Sequence, residues 1–203
     1  MPKNYVSNTP DSVRMFKSNF WERLSKVHFS VPLIIYIPVI LFFSIRDLSF
    51  LKEGIMAFIG FAALGVFIWS LTEYLLHRFI FHFVPTSGWG LRMHFIFHGV
   101  HHDYPNDTKR LVMPPSVSIP LAFLFYFLFS LILSIPNLYA FFPGFVAGYL
   151  VYDISHYAIH HFNFKNKYWK NVKKHHMLHH YADAKKGFGV SSSFWDKVFH
   201  SDL

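Results

Sequence analysis

The chain contains no cysteine in its 203 residues. Disulfides, thiolate metal ligands and iron–sulfur clusters are therefore excluded, and the redox compartment goes unread. Acidic side chains are also scarce, with 11 Asp and Glu against 19 Lys and Arg. A net charge of +8 would suit nucleic acid, but the basic residues flank long apolar runs. They read as topology signals and lipid-surface contacts, with no nucleic-acid partner. The first 26 residues are polar and hold no apolar core, so no cleavable secretion signal is expected there.

Apolar and aromatic residues are abundant: 53% of the chain is hydrophobic and 26 residues are Phe. Apolar runs occur at about 29–45, 55–76, 117–135 and 138–152. A membrane-spanning helix needs ~20 apolar residues at ~1.5 Å each. The second and third runs meet this. The first contains Pro32 and Pro38, a kink that its neighbours must absorb. The fourth follows Pro136 and Asn137, which read as a tight helical hairpin. Buried helices of a soluble protein would be the alternative, but four such runs would dominate so short a chain.

The expected architecture is all-α. Residues 29–203 form an integral membrane bundle of four transmembrane helices with a cytosolic helical cap. A polar segment, 1–28, with Pro2 and Pro10, precedes them; Phe16, Phe20, Trp21 and Leu24 in it have the spacing of an interfacial helix. Lys and Arg number five in 1–26, two in 46–53, four in 78–110 and eight in 165–197. Four spans put seventeen of these nineteen on one side, which the positive-inside rule makes cytoplasmic, in endoplasmic reticulum or a bacterial inner membrane.

Thirteen of fifteen histidines stand in four tight groups, all on or near that side. His77 and His82 close the second run. Five residues turn an α-helix by ~500°, so the helix is expected to loosen between them. His98, His101 and His102 have i, i+3, i+4 spacing, as do His176, His179 and His180; His156 and His160 are i, i+4. Imidazole is the commonest protein ligand for transition metals, and ten imidazoles suit two metals. Spacing alone does not name the metal, since zinc enzymes use it too. A histidine-rich surface or a metal-buffering tract is the bland alternative, but such tracts are low-complexity runs. His94, His161 and His175 read as non-ligands beside stronger candidates, and His28 and His200 as isolated surface histidines.

The stretch from about 70 to 200 resembles the membrane fatty acid hydroxylase superfamily, most closely its fatty acid 2-hydroxylases. The resemblance runs through Glu73-Tyr74, His77-Arg78-Phe79, His82, His94-Phe95, His98-Gly99 and His101-His102. It continues with Arg110-Leu111-Val112, Pro114-Pro115, Tyr152-Asp153, His156-Tyr157, His160, His175-His176, His179-His180, Gly187-Phe188-Gly189 and Trp195-Asp196. It implies that His77, His82, His98, His101, His102, His156, His160, His176, His179 and His180 bind metal. It implies two iron ions that use O2 to replace a C–H bond at carbon 2 of a long fatty acid, or of a sphingolipid acyl chain, with C–OH. Zinc would fill the same cage without redox chemistry. Many relatives carry a cytochrome b5-like domain, for which residues 1–28 are too short. A separate donor, of cytochrome b5 or ferredoxin type, is then expected.

Glu73 and Asp153 are rare acids at span ends. They are expected to take the second N–H of a metal-bound imidazole, or to form a helix-end salt bridge with Arg78 or a lysine. Asp103, Asp107 and Asp183 are weaker candidates for the same role. Arg110 could meet a lipid head group. Tyr104, Tyr157, Tyr181, Phe188 and Trp195 could line an acyl channel or form an aromatic belt. Ser191, Ser192 and Ser193 have no visible acid–base partner for acyl transfer. Two other readings stand beside the hydroxylase: a sterol or carotenoid oxidase or desaturase of the same superfamily, and a non-catalytic metal-binding membrane protein. Transport of ions would favour polar groups inside the spans, and 29–45 and 117–135 hold almost none.

Overall fold

The computed structural model describes residues 6–49 and 54–203, which form helices and loops with no strand among them. Pro2 and Lys3 of the N-terminal segment, and Lys52 between the first two runs, lie outside the described residues. In chain order the helices are α1 (Asn19–Leu24), α2 (Ser30–Ser49), α3 (Ile55–Leu75), a π-helical turn π1 (Leu76–Phe81), α4 (Gly88–His94), a second such turn π2 (Phe95–Gly99), α5 (Val100–Asp103), α6 (Pro115–Ser130), α7 (Ile135–His161), α8 (Lys167–Tyr181) and α9 (Phe194–Val198).

The fold is built around α7. Phe141, Phe142, Phe145, Val146 and Tyr149 are all buried, so the helix has no solvent face along this stretch. α3 lies closest to it. A Cβ on Gly65 would meet the backbone N of Phe145 at 2.6 Å, and one on Gly144 would meet the backbone of Ala62. Two missing side chains thus let two backbones touch, the packing device of helices that cannot rely on water to drive them together. α2 and α6 add aromatic edges: Tyr36 meets Tyr149 at 5.1 Å between ring centres, and Phe129 meets Phe141 at 4.7 Å.

Among the described residues, two helices are long and apolar enough to cross a membrane: Ile55–Phe81, in which π1 continues α3, and Ile135–His161, each of 27 residues. Ser30–Arg46 and Pro115–Ser130 are shorter apolar helices. The 16 residues of α6 rise ~24 Å, less than a ~30 Å hydrocarbon core. Full spanning length is therefore present in two of the four expected spans. Met56, Phe123 and Ile132 are more than two-thirds exposed, at 78%, 71% and 77%, a pattern of outward apolar residues that suits lipid better than water.

Four expectations about boundaries and breaks change. α6 stops at Ser130, and the turn lies at 131–134. Pro136 lies within the first turn of α7, where a missing N–H costs nothing. The fourth run does not end at 152. α7 continues to His161, because polar side chains of its last three turns, such as Asp153 and His156, are buried inside the protein and escape a hydropathy reading. The prolines of the first run do not interrupt it: Pro32 falls in the first turn of α2, and the helix runs on through Pro38. α1 leaves Phe20 64% exposed, while Trp21 and Leu24, at 56% and 39%, border the cavity described below. The short elements gather where α3 and α7 end, with π2 against π1 and α8 against α7.

Candidate metal centre

Each of the ten histidines comes from an element whose local geometry aims it inward. π1 is the clearest case. The His82 N–H donates to the His77 carbonyl at 3.1 Å, the i→i+5 bond of a widened helix. The wider turn cancels the ~140° mismatch that an α-helix would leave, and the two Nε2 atoms stand 3.2 Å apart. α8 begins at an Asn166 cap, whose side chain accepts from the Tyr168 N–H at 2.8 Å. That cap fixes the register that presents His176, His179 and His180.

The ten rings form two groups of five. His77, His82, His98, His102 and His179 make the first; His101, His156, His160, His176 and His180 make the second. Within each group the ligand atoms all lie within 4.8 Å of one another. The division cuts across the i, i+3, i+4 triplets. His98 and His102 share group one while His101 crosses to group two; His176 and His180 share group two while His179 crosses to group one. The i, i+4 pair stays in one group, and the i+3 residue, ~60° round the helix, reaches the neighbouring group. His94, His161 and His175 belong to neither group.

The Nε2 atoms converge. In group one the separations are 3.1 Å for His77–His98, 3.0 Å for His82–His98, 3.0 Å for His98–His102 and 2.9 Å for His82–His179. In group two they are 2.9 Å for His101–His156, 3.1 Å for His156–His176, and 3.0 Å for both His160–His176 and His176–His180. These cannot all be hydrogen bonds. The His77 Nδ1–H donates to the Phe188 carbonyl at 2.5 Å, and the His179 Nδ1–H to the Lys186 carbonyl at 2.6 Å. A neutral imidazole has one N–H, so both Nε2 atoms carry bare lone pairs, and both face His82 Nε2, whose single proton could serve only one.

Protonation does not relieve the crowding. Burial first, then neighbouring imidazoles, pushes His82 down to about 2 and His98, His101, His102, His176 and His180 well below the ordinary 6.5. Neutral nitrogens with inward lone pairs are what a cation needs. At a metal–nitrogen distance of ~2.1 Å, two ligands at right angles stand ~3.0 Å apart, which these Nε2 separations match. The donor sets therefore fit a pair of imidazole-ligated metals.

The expected carboxylates do other work. Glu73 is buried and accepts from the N–H of Val190 at 3.2 Å and Ser191 at 2.8 Å, and from the Ser191 hydroxyl at 2.7 Å. Asp153 accepts from the Met113 N–H and the Tyr149 hydroxyl, both at 3.1 Å. Neither binds an imidazole or Arg78, which donates to Tyr74 instead. Among the described residues, the outward nitrogens of His77 and His179 go to backbone carbonyls, which carry no side-chain signature in the sequence. Asp107 takes Ser12, Lys109 and Arg110, not a histidine. Arg110 borders the cavity described below, and its fork is engaged by Glu22 at 2.7 Å, Asp107 at 3.3 Å, the Val13 carbonyl and the Ser25 hydroxyl. It ties the N-terminal segment to the bundle.

Beside the histidines lies a cavity of about 830 Å³, walled by apolar residues including Leu24, Phe97, Val117 and Leu121, and reaching His98, His101 and His156. The expected channel aromatics do not line it. Tyr157 stacks on Phe29, Phe188 packs edge-on to His82 at 5.4 Å, Trp195 donates to Ser70, and Tyr104 and Tyr181 lie elsewhere.

Comparison with known proteins agrees with this geometry. The family model for fatty acid hydroxylase matches residues 62–201. A dihydroceramide fatty acyl 2-hydroxylase of Arabidopsis thaliana is 39% identical, over 94% of this chain and 80% of its own length. A human fatty acid 2-hydroxylase is 40% identical over 93% of this chain, and a Saccharomyces cerevisiae ceramide very long chain fatty acid hydroxylase is 39% identical over 91%. The chain spans about half the length of these last two, at 56% and 48%. The solved structure of full-length scs7p, with only its hydroxylase domain visible, superposes with a TM-score of 0.86 at 38% identity, over 91% of this chain and 70% of that one. The chain belongs to the fatty acid hydroxylase family.

Proposed function

We propose that the protein is a membrane lipid hydroxylase that places one oxygen of O2 on carbon 2 of a long acyl chain, as a free fatty acid or within a sphingolipid. The observation that carries this is the juxtaposition of two convergent five-imidazole groups with one apolar cavity. Curated relatives named as acyl 2-hydroxylases support the position of attack.

On this reading the first group holds one metal through His77, His82, His98, His102 and His179. The second holds another through His101, His156, His160, His176 and His180. The pair is iron; when bound it supplies the O2 activation and oxidising power that no side chain has. The chain's own part is positional. His98, His101 and His156, which face the cavity, set where carbon 2 must sit. Leu24, Phe97, Val117 and Leu121 hold the acyl tail and keep water out. Asp153 ties Met113, in the cavity wall, to α7 one turn before His156. Two electrons come from a donor of cytochrome b5 or ferredoxin type.

Residues 29–203 act as one membrane-embedded hydroxylase unit, in which α2 and α6 join the two full-length helices within the bilayer. The histidine end faces the cytoplasm, on the side of the excess Lys and Arg. The test is to express the chain with a reductase system and locate oxygen in the lipids by mass spectrometry. The expected product is a 2-hydroxylated acyl chain that His176→Ala abolishes. Oxygen at another position, or on a sterol, would transfer the chain to the oxidase reading.

A further inference from the structure

The two groups differ in what holds their rings. Group one has the two backbone clamps on His77 and His179. In group two the Nδ1 atoms of His101, His176 and His180 are buried with no hydrogen-bond partner among the described residues. Both clamping carbonyls belong to one loop, 186–191. That loop is gripped from two sides by carboxylates that hydrogen-bond no imidazole of either group.

Asp196 is fully buried; its Oδ1 accepts from the Phe188 N–H at 2.8 Å and its Oδ2 from the Gly189 N–H at 2.7 Å. Its remaining partners are Ser201 at 2.8 Å and His175 at 3.1 Å. Glu73 holds Val190 and Ser191 from the opposite side, one helical turn before His77. The glycines make this grip possible. Gly187 has φ +71°, and a Cβ on Gly189 would meet Asp196 Oδ2 at 2.8 Å.

We propose that Asp196 and Glu73 are positioning residues for the metal of group one alone. They fix the loop whose Phe188 and Lys186 carbonyls orient His77 and His179. The two metal sites are consequently unequal in their dependence on these acids. This rests on the metal-pair reading above.

The experiment compares wild type, Asp196→Asn and Glu73→Met, all iron-loaded and purified in detergent. It measures metal per chain and the time course of iron release to a chelator. Wild type should hold two metals. In each variant one equivalent should leave ~10–100-fold faster, the usual cost of losing an outer hydrogen bond to a metal ligand, while the other keeps its wild-type rate. His101→Ala, which removes a group-two ligand, should speed the other equivalent and leave the first unchanged. Wild-type release of both equivalents in the variants would overturn the proposal. So would equal acceleration of both, which would mean general loosening. Glu73→Met keeps the side-chain length and removes both acceptors, so it frees the Val190 and Ser191 amides, and it decides the matter if Asp196→Asn does not accumulate. A wild type holding fewer than two metals would overturn the metal-pair reading itself, and this proposal with it.

Discussion

Replacing Arg110 by methionine should undock the N-terminal segment while leaving the bundle folded. Arg110 joins two carboxylates: Glu22, on α1, at 2.7 Å, and Asp107, in its own loop, at 3.3 Å. Removing one member of a buried ion pair strands the other and costs ~3–5 kcal/mol. Glu22 would keep Lys26 at 2.9 Å and the N–H groups of Met15 and Phe16 at 2.9 and 3.0 Å, so the lower end, ~3 kcal/mol, applies. The loss falls on docking, because Arg110 also holds Val13 and Ser25 of that segment and nothing on α3 or α7. At 1.4 kcal/mol per tenfold, the undocked population should rise ~150-fold. Amide exchange reads this directly: protection of the Glu22 and Ser25 amides, which close α1 onto Ser18 and Trp21, should fall by about two orders of magnitude. The amides of Val146 and Tyr149 in α7 should keep theirs. Unchanged exchange in α1, or equal loss in α7, would refute the reasoning. Leu24 lines the cavity, so undocking should also lower turnover.

The same lock has a pH signature. Burial pushes the Glu22 carboxyl up, but Lys26, the Phe16 and Met15 amides and Arg110 outweigh it and hold it at about 2 rather than 4.5. The docked value lies below the free one, so docking is fully supported above pH 4.5 and lost as pH falls toward 2. An acid-tolerant protease should begin to cut within residues 7–26 only below pH 4.5; cutting that is independent of pH would contradict this. Gly144→Ala should destabilise the bundle by ~1–3 kcal/mol, because its Cβ has only the Ala62 backbone to displace. An unchanged melting temperature in detergent would deny the close crossing. Leu121→Trp should slow turnover most for the longest acyl chains and leave metal content intact. Equal loss at every chain length would speak against the cavity as the acyl site.

Much of this architecture is written in side-chain pattern, and the part that is not has a physical reason. Apolar runs mark α2, α3, α6 and α7, and the five-residue spacing of His77 and His82 anticipates the widened helix at π1. The sorting of His101 and His179 into the opposite group from their neighbours could not be read, because it depends on how helices face each other and not on period along one helix. The partners of Glu73, Asp153 and Arg110 are illegible in the sequence for a related reason. The types of these three residues signal a buried charge in need of partners, but not that the partners are backbone amides of distant segments, a tyrosine hydroxyl one turn away, or one acid of the N-terminal segment and one of the same loop. The loop clamp on His77 and His179 uses carbonyls, which every residue has. Its only sequence trace is Gly187-Phe188-Gly189 with Trp195-Asp196, a signal that becomes legible once the loop's backbone is seen.

The central claim is that ten imidazoles hold two metals in two sets of five. Anomalous diffraction from iron-loaded crystals tests it directly. Two iron peaks are expected in each chain, one among the Nε2 atoms of His77, His82, His98, His102 and His179 and one among those of His101, His156, His160, His176 and His180. A single peak, or a peak ligated by residues outside these ten, would contradict it.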